Sequence, residues 1–227
     1  MSRTKFIATG MLVLAFLMAT SFFLVLSYEN NGNWNKVSKH ILVACVGDSI
    51  TQDSGYPNML QNMLGNKYIV INFGVGSTTV LTNSNRPYVN QDAYLNAKLS
   101  YPSYVAIMLG TNDAKPVNYA NIQNFITDYK MLIGSFQNLS SKPKIVILIP
   151  SPIFSNQVEI NSTNLEQGVI PLIRDVASDL NLPTIDIYDL LISHPNYFPD
   201  GVHPNADGAR VIATEVEKFI ISNEPSN

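Results

Sequence analysis

The feature that most constrains the fold is a series of five short apolar runs, rich in β-branched residues, that begins after residue 40. The runs lie at 41–46, 68–73, 104–109, 145–149 and 183–187. Each is apolar almost throughout, without the alternation of polar and apolar residues that marks a strand facing water on one side. Strands with this pattern are buried on both faces, as in a parallel sheet covered by helices. The runs therefore predict a parallel β-sheet.

Helical patterns separate several of these runs. Apolar residues recur at i, i+3, i+4 and i+7 spacing between 122 and 136, and the same spacing recurs from 209 to 219. A third helix is expected between 165 and 180, where Pro171 must start, kink or interrupt it. Strands alternating with helices in right-handed crossovers predict a three-layer α/β/α fold with a flavodoxin-like, doubly wound sheet of about five strands.

The N-terminus carries a long uncharged segment. Residues 6–28 contain no charged side chain, and at about 1.5 Å per residue they are long enough to cross a hydrocarbon core of about 30 Å. Arg3 and Lys5 precede the segment and Glu29 follows it, which predicts a membrane-anchoring helix with everything after it outside the cytoplasmic membrane. The alternative is a signal peptide cleaved after Ser27, which would make the protein secreted, but the segment is longer than the usual apolar core of a signal peptide.

These patterns predict four parts of the chain. Residues 1–28 form the anchor or signal segment, 29–40 a polar stalk, 41–222 one α/β domain and 223–227 a tail. No linker rich in Pro, Gly or Ser divides the third part. The single cysteine, Cys45, lies in the first apolar run and is expected to be a small core residue.

Composition excludes several classes of function. The chain has 14 Lys and Arg residues against 17 Asp and Glu residues, a net charge of −3, which argues against a nucleic-acid partner. One cysteine and three scattered histidines leave no set of ligands with the spacing of a zinc site. We therefore expect neither a metal nor a cofactor.

Two segments carry the residue types of nucleophilic catalysis. Ser49 follows the first apolar run through Gly47 and Asp48, so its hydroxyl is expected at the edge of the sheet where ligands bind. Taken alone, this segment is equally typical of a turn or a helix cap. Asp200 precedes His203 by three residues around a glycine, so its carboxylate can reach the imidazole, fix its tautomer and stabilise its protonated form.

Two other segments after strands offer hydrogen-bond donors. The second run leads into Gly74, Gly76 and Ser77, where glycines allow backbone N–H groups to turn toward a ligand. A phosphate-binding loop is the alternative, but the glycine and lysine pattern of such loops is missing. Asn112 follows the third run and offers an uncharged donor suited to a developing oxyanion, although an Asx turn would use the same residue.

The combination of these four segments, in this order, resembles the conserved blocks of the SGNH (GDSL-type) hydrolases. The resemblance extends over residues 41–221. It implies an ester hydrolase in which Ser49 is the nucleophile, His203 the base and Asp200 the partner of the histidine. Position 51 is not glycine, so the Gly-x-Ser-x-Gly elbow of the α/β-hydrolases is absent.

The same resemblance implies an oxyanion hole made of three donors. These are the Ser49 backbone N–H, the Asn112 side chain and a backbone N–H from the second segment. The family usually has glycine at the position occupied here by Ser77, with Gly76 just before it. Either the Gly76 or the Ser77 amide is therefore expected to complete the oxyanion hole.

The implied substrate is a small-molecule or glycan ester with a short acyl group. Segments 110–116 and 198–205 resemble those of sialate O-acetylesterase-like carbohydrate acetylesterases. The loops at 82–88 and 155–157 are polar, without the apolar run that a long acyl chain would require. The alternatives are a lipid or lysophospholipid esterase, an acyltransferase of the same fold, and an inactive membrane-tethered binding module.

Overall fold

The structure is a computed structural model that describes residues 40–155 and 159–224. Five parallel strands form one sheet with the order β2-β1-β3-β4-β5. The strands are β1 (Ile41–Gly47), β2 (Tyr68–Gly74), β3 (Tyr104–Met108), β4 (Lys144–Ile149) and β5 (Thr184–Asp186). Each of the five predicted runs forms a strand, and the order is that of a flavodoxin-like doubly wound sheet. The predicted fold class is confirmed.

Helices connect the strands and cover both faces of the sheet. They are α1 (Ser49–Asp53), α2 (Tyr56–Leu64), α3 (Asp92–Leu99), α4 (Pro116–Tyr119), α5 (Phe125–Gln137), α6 (Ser162–Asn164), α7 (Ile170–Asp179), α8 (Ile187–Leu191) and α9 (Ala206–Ser222). Short 3₁₀ turns lie at Gly65–Lys67, Tyr88–Asn90, Thr111–Ala114, Ile122–Asn124 and Pro195–Tyr197.

Alternate residues of strands β1 to β4 contribute to two separate cores. In β1, Val43 and Cys45 belong to the core shared with α2, α8 and α9, whereas Ala44 and Val46 belong to the core shared with α5 and α7. All four side chains are fully buried, as expected for a strand covered on both faces. Cys45 is therefore the small core residue that the sequence predicts.

A π-helical turn lies just before Pro171 in the helical segment between β4 and β5. Residues Leu165–Val169 form this turn between α6 and α7, and the Ile170 N–H bonds to the Leu165 carbonyl five residues earlier. Pro171 is the second residue of α7, directly after the π turn, so the helix changes its hydrogen-bond pattern next to the residue that has no N–H to donate. The helix expected between 165 and 180 is present, and the proline starts its regular α-helical part.

The register of the strands brings three strand exits side by side. Gly47 at the end of β1 pairs with Gly74 at the end of β2, and also with Met108 at the end of β3. The segments that follow these strands therefore begin at the same edge of the sheet. This register places Ser49, the turn after β2 and the Asn112 segment together.

Four predictions fall wholly or partly outside the described residues. They are the N-terminal anchor, the stalk up to residue 39, residues 156 and 157 of the polar loop, and residues 225–227 of the tail. Within residues 40–155 and 159–224, every helix is too short or too polar to cross a membrane.

Candidate active site

Ser49 is the first residue of α1 and is half-buried at the edge of the sheet. Asp48 caps this helix, because its Oδ1 accepts a hydrogen bond from the Ile50 N–H at 2.9 Å. Gly47 allows the tight exit from β1: a Cβ there would lie 2.0 Å from the Thr51 Oγ1 and 2.8 Å from the Met108 carbonyl oxygen. The segment is thus a helix cap, and it also presents a serine hydroxyl at the strand end.

The structure joins Ser49, His203 and Asp200 in one chain of hydrogen bonds. Ser49 Oγ lies 2.8 Å from His203 Nε2, although the two residues are 154 positions apart. His203 Nδ1 lies 2.6 Å from Asp200 Oδ2. An ionised carboxylate can only accept, so Nδ1 carries the proton, and Nε2 of the neutral ring is left to accept the serine hydroxyl.

The loop that carries Asp200 and His203 holds the carboxylate in its ionised form. Asp200 Oδ1 accepts hydrogen bonds from the Val202 N–H at 2.9 Å and the His203 N–H at 2.7 Å. Partial burial raises the pKa of Asp200, but hydrogen bonds from the His203 ring and these two amides outweigh it and lower the pKa to about 2. Asp200 is therefore an anion at neutral pH.

A contact with the segment after β4 supports this loop. The Phe154 N–H donates to the Gly201 carbonyl at 2.8 Å, and the rings of Phe154 and Phe198 lie 5.2 Å apart. Gly201 has a φ of +80°, a conformation that favours glycine. The Asp200–His203 loop is thus fastened to the same edge of the sheet as Ser49.

Asn112 lies in the 3₁₀ turn after β3 and is almost fully buried. Its Nδ2 donates to the Thr78 carbonyl at 3.1 Å and lies 3.4 Å from Asp48 Oδ2. Asn118 donates to the Asn112 backbone carbonyl at 2.8 Å. The amide that the sequence singled out therefore lies beside the residue that precedes Ser49.

The turn after β2 approaches Ser49 from the other side. A Cβ at Gly76 would lie 3.8 Å from the Ser49 Cβ. The Gly76 N–H donates to Gln52 Oε1 at 2.5 Å, and Ser77 has a φ of +61°. The structure thus places Gly76 near Ser49, with the Gly76 amide already engaged by a side chain, and Ser77 is the next residue.

Gln52 is the feature of the site that the sequence did not predict. Its spacing of three residues from Ser49 is meaningful only when segment 49–53 is known to be helical. The signal was available in the sequence, but segment 47–51 was equally typical of a turn.

Two buried carboxyl groups, Asp48 and Asp113, lie beneath the site. Asp113 accepts the Val80 and Leu81 N–H groups at 3.0 and 2.9 Å, which fixes the chain beyond the second segment. Burial raises the pKa of Asp113 to about 7 and that of Asp48 to about 6, although backbone hydrogen bonds oppose the shift. These groups anchor loops around the site.

No cluster of three His, Cys, Asp or Glu side chains suited to a metal ion occurs among residues 40–155 and 159–224. The His203 ring is hydrogen-bonded to Asp200 and Ser49, and His40 Nδ1 contacts the Asn66 carbonyl oxygen at 2.9 Å.

The sequence matches the model of the GDSL-like lipase/acylhydrolase family over residues 45–211. That span includes Ser49, Asn112, Asp200 and His203. The chain belongs to this family. The resemblance that the sequence segments indicated is confirmed.

One relative is an acetylxylan esterase from Xylanibacter ruminicola. It is 33% identical to this GDSL-like chain over 216 residues, an alignment that spans 82% of this chain and 45% of the relative. The chain therefore spans about half the length of this relative.

Solved structures show the same fold at lower identity. A carbohydrate acetylesterase family member from Sinorhizobium meliloti is 21% identical and superimposes with a TM-score of 0.62, over 80% of this chain and 98% of that one. A lipase/acylhydrolase from Enterococcus faecalis is 21% identical with a TM-score of 0.64, over 82% and 99% of the two chains. Both likenesses agree with the α/β architecture described above.

Proposed function

We propose that this GDSL-like protein is a serine ester hydrolase that removes short acyl groups, chiefly acetyl, from a carbohydrate or similar small ester. The observation that carries the proposal is the hydrogen-bonded chain from Ser49 through His203 to Asp200. A hydroxyl, a neutral imidazole and an ionised carboxylate in this order form an activated nucleophile. A binding module has no need of this arrangement.

The geometry supports a two-step acyl transfer. Ser49 Oγ attacks the ester carbonyl while His203 Nε2 takes the hydroxyl proton, and the protonated ring is stabilised by Asp200. The bond to the leaving alkoxide then breaks, and His203 returns the proton to it, which leaves an acyl-serine. Water attacks the acyl-serine with His203 as base, which releases the carboxylic acid and restores the Ser49 hydroxyl.

The oxyanion formed in each step requires donors near Ser49. We assign this role to the Ser49 N–H, the Asn112 side chain and one amide of the turn after β2. The burial of Asn112 supports the assignment, because an amide dipole acts more strongly where water is excluded. In the free protein, Asn112 Nδ2 already donates to Thr78, so its remaining N–H, directed at Asp48 over 3.4 Å, is the weaker bond and the one to be exchanged.

Two observations support an acetyl ester on a sugar as the substrate. The relative that is 33% identical is named an acetylxylan esterase. The loop at 82–86 is polar and largely exposed, and so it offers no apolar channel for a long acyl chain.

Hydrolysis of p-nitrophenyl esters with acetyl, butyryl, octanoyl and palmitoyl groups tests this proposal. We expect kcat/KM to be highest for acetyl and to fall with chain length, and we expect Ser49→Ala to lose the activity on every ester. A maximum at eight carbons or more would favour a lipid esterase and contradict the acetylesterase assignment. Product partition with added sugar alcohols separates hydrolysis from acyl transfer to a glycan.

We also propose that residues 6–28 hold the protein in a membrane, with the hydrolase part outside the cytoplasm. Support comes from the uncharged length of the segment and from Arg3 and Lys5 before it. In a bacterial host, we expect the full chain to stay with membranes after carbonate extraction and to be digested by protease added outside spheroplasts. Release of a shortened chain into the medium would support the cleaved signal peptide instead.

A further inference from the structure

We propose that Gln52 is a positioning residue for the ester hydrolysis proposed above, on which this inference rests. Its side-chain oxygen holds the turn after β2 against Ser49, so that the Ser77 amide, rather than that of Gly76, is the backbone donor for the oxyanion. In this chain, Gln52 thereby compensates for a serine at a position that tolerates glycine better.

The backbone of Gln52 is fixed before its side chain is considered. Its N–H donates to the Asp48 carbonyl at 3.0 Å, and its carbonyl accepts from Asn72 Nδ2 at 3.1 Å. Asn72 Oδ1 in turn accepts the Gly74 N–H at 2.9 Å. A Cβ on Gly74 would lie only 2.3 Å from the Gln52 nitrogen, so α1 and the end of β2 are in direct backbone contact.

The side chain of Gln52 extends this contact to the next turn. Residues 49 and 52 are three apart on α1, so Gln52 lies on the same face of the helix as the proposed nucleophile. Its Oε1 accepts the Gly76 N–H at 2.5 Å, in an exposed position. That N–H is therefore already bonded within the protein, and the following amide, that of Ser77, is the one left for a substrate.

Ser77 adopts a backbone conformation that costs a non-glycine residue free energy. Its φ of +61° lies in the left-handed region. Bonds on both sides of it hold this conformation: Gly76 to Gln52 before it, and the Thr78 hydroxyl to the Val75 carbonyl at 2.7 Å after it. Strain of this kind persists only where the surroundings enforce it. Loss of the Gln52 oxygen would release the turn and displace the Ser77 amide.

The test compares Gln52→Met, which keeps the length of the side chain without an acceptor, with the parent protein. We expect kcat for p-nitrophenyl acetate to fall about 10-fold, less than the loss typical of deleting an oxyanion donor, while KM changes less than about twofold. Gln52→Asn should show the same loss, because its shorter side chain cannot reach Gly76. Both variants should fold, because the Gln52 side chain is exposed, and their thermal unfolding midpoints check this.

The matched control is Gln137→Met, the same substitution at the end of α5. This residue leads toward the start of β4, at the opposite edge of the sheet from the site, so kcat should not change. The coupling to Ser77 is tested by making Gln52→Met in a Ser77→Gly background. We expect the loss in kcat to be smaller there than in the parent, because glycine adopts the turn without strain.

Four results would overturn this inference. The first three are an unchanged kcat in Gln52→Met, an effect confined to KM, and an equal loss in the Ser77→Gly background. The fourth is a rise in kcat in Gln52→Met, since it would mean that the side chain blocks the oxyanion site. Activity in Ser49→Ala equal to that of the parent would instead contradict the proposed function itself, so the two failures are distinguishable.

Discussion

At the scale of single residues, the contacts of His203 matter more for orientation than for stability. The side chains of His203 and Asp200 are 33% and 55% exposed. An ion pair with this much exposure to water contributes little to the stability of the fold. Asp200 nevertheless fixes the tautomer of the ring through a 2.6 Å hydrogen bond. The effect of removing Asp200 should therefore be larger on catalysis than on stability, to which its bonds with the Val202 and His203 amides also contribute.

The first prediction concerns Asn112. Replacing it with alanine should lower kcat for p-nitrophenyl acetate by about 10² to 10³ with little change in KM, because the donor acts on the oxyanion and not on the bound ester. The variant should fold, since Asn118 bonds to the backbone carbonyl at position 112, which alanine retains. Asn138→Ala, at the end of α5, is the control. A loss of kcat below about fivefold would remove Asn112 from the oxyanion hole.

The second prediction follows from the buried carboxyl groups. The pKa values of Asp48 and Asp113 are raised from 3.8 to about 6 and about 7. The stability that such groups contribute is fully present below about pH 3.8 and is lost as the pH rises through their folded pKa values. The free energy of unfolding should therefore fall between pH 4 and pH 7. The depressed pKa of Asp200 acts with the opposite sign, but between pH 2 and pH 4.

Urea denaturation at several pH values checks this dependence. Asp113→Asn should be less stable than the parent at low pH, because one of the two backbone amides loses its carboxyl oxygen. Its stability should nevertheless vary less between pH 4 and pH 7. Equal slopes for the two proteins would show that Asp113 does not titrate in this range.

Most residues of the candidate site could be predicted from the sequence, but Gln52 could not. Ser49 and Asn112 were singled out because they follow strand ends, and Asp200 and His203 because of their spacing. The order of these segments resembles that of one family. The role of Gln52 was not predicted, because it depends on the helical turn of α1 and on the approach of Gly76, which is far from it in the chain.

At the scale of elements, close backbone contact decides where glycine is required. Gly47 ends β1 with no room for a Cβ against the Thr51 side chain and the β3 backbone. Gly134, in the middle of α5, has no atom within 4 Å of a Cβ position. The third prediction compares the alanine variants of these two glycines.

Gly134→Ala should raise the free energy of unfolding by about 0.5–1 kcal/mol, since glycine disfavours a helix interior by this amount relative to alanine. Gly47→Ala should lower stability and reduce activity, because the clash is with backbone and with the helix that carries Ser49. Chemical denaturation measures both. An unchanged free energy of unfolding in Gly47→Ala would mean that the ends of β1 and β3 can move apart at no cost in stability.

The elements differ in how far the sequence predicted them. Apolar runs predicted all five strands, although only β1, β3 and β4 are buried almost throughout, whereas the edge strands β2 and β5 are partly exposed. Helices α5 and α9 were predicted from apolar residues that recur at i, i+3, i+4 and i+7 spacing. Helix α3 has no such stripe and exposes Leu95 and Leu99, and α1 is a single short turn, so neither left a periodic signal. The π-turn before Pro171 depends on a hydrogen-bond shift that composition does not record.

At the scale of the whole molecule, the fold converts four distant segments into one site. The parallel register sets the exits of β1, β2 and β3 beside one another, and the loop before α9 brings His203 back to Ser49 across 154 positions. The described residues of this chain thus contain all three side chains of the proposed arrangement, Ser49, His203 and Asp200. This architecture explains why the order of the four segments along the sequence could predict which residues form the site.

The most direct test of this account is covalent labelling with a fluorophosphonate probe, followed by peptide mass mapping. The account predicts one modified residue, Ser49, and slow or no labelling in His203→Ala, whose serine lacks its base. A probe attached to a different residue, or equal labelling of parent and His203→Ala, would contradict the assignment of Ser49 as an activated nucleophile.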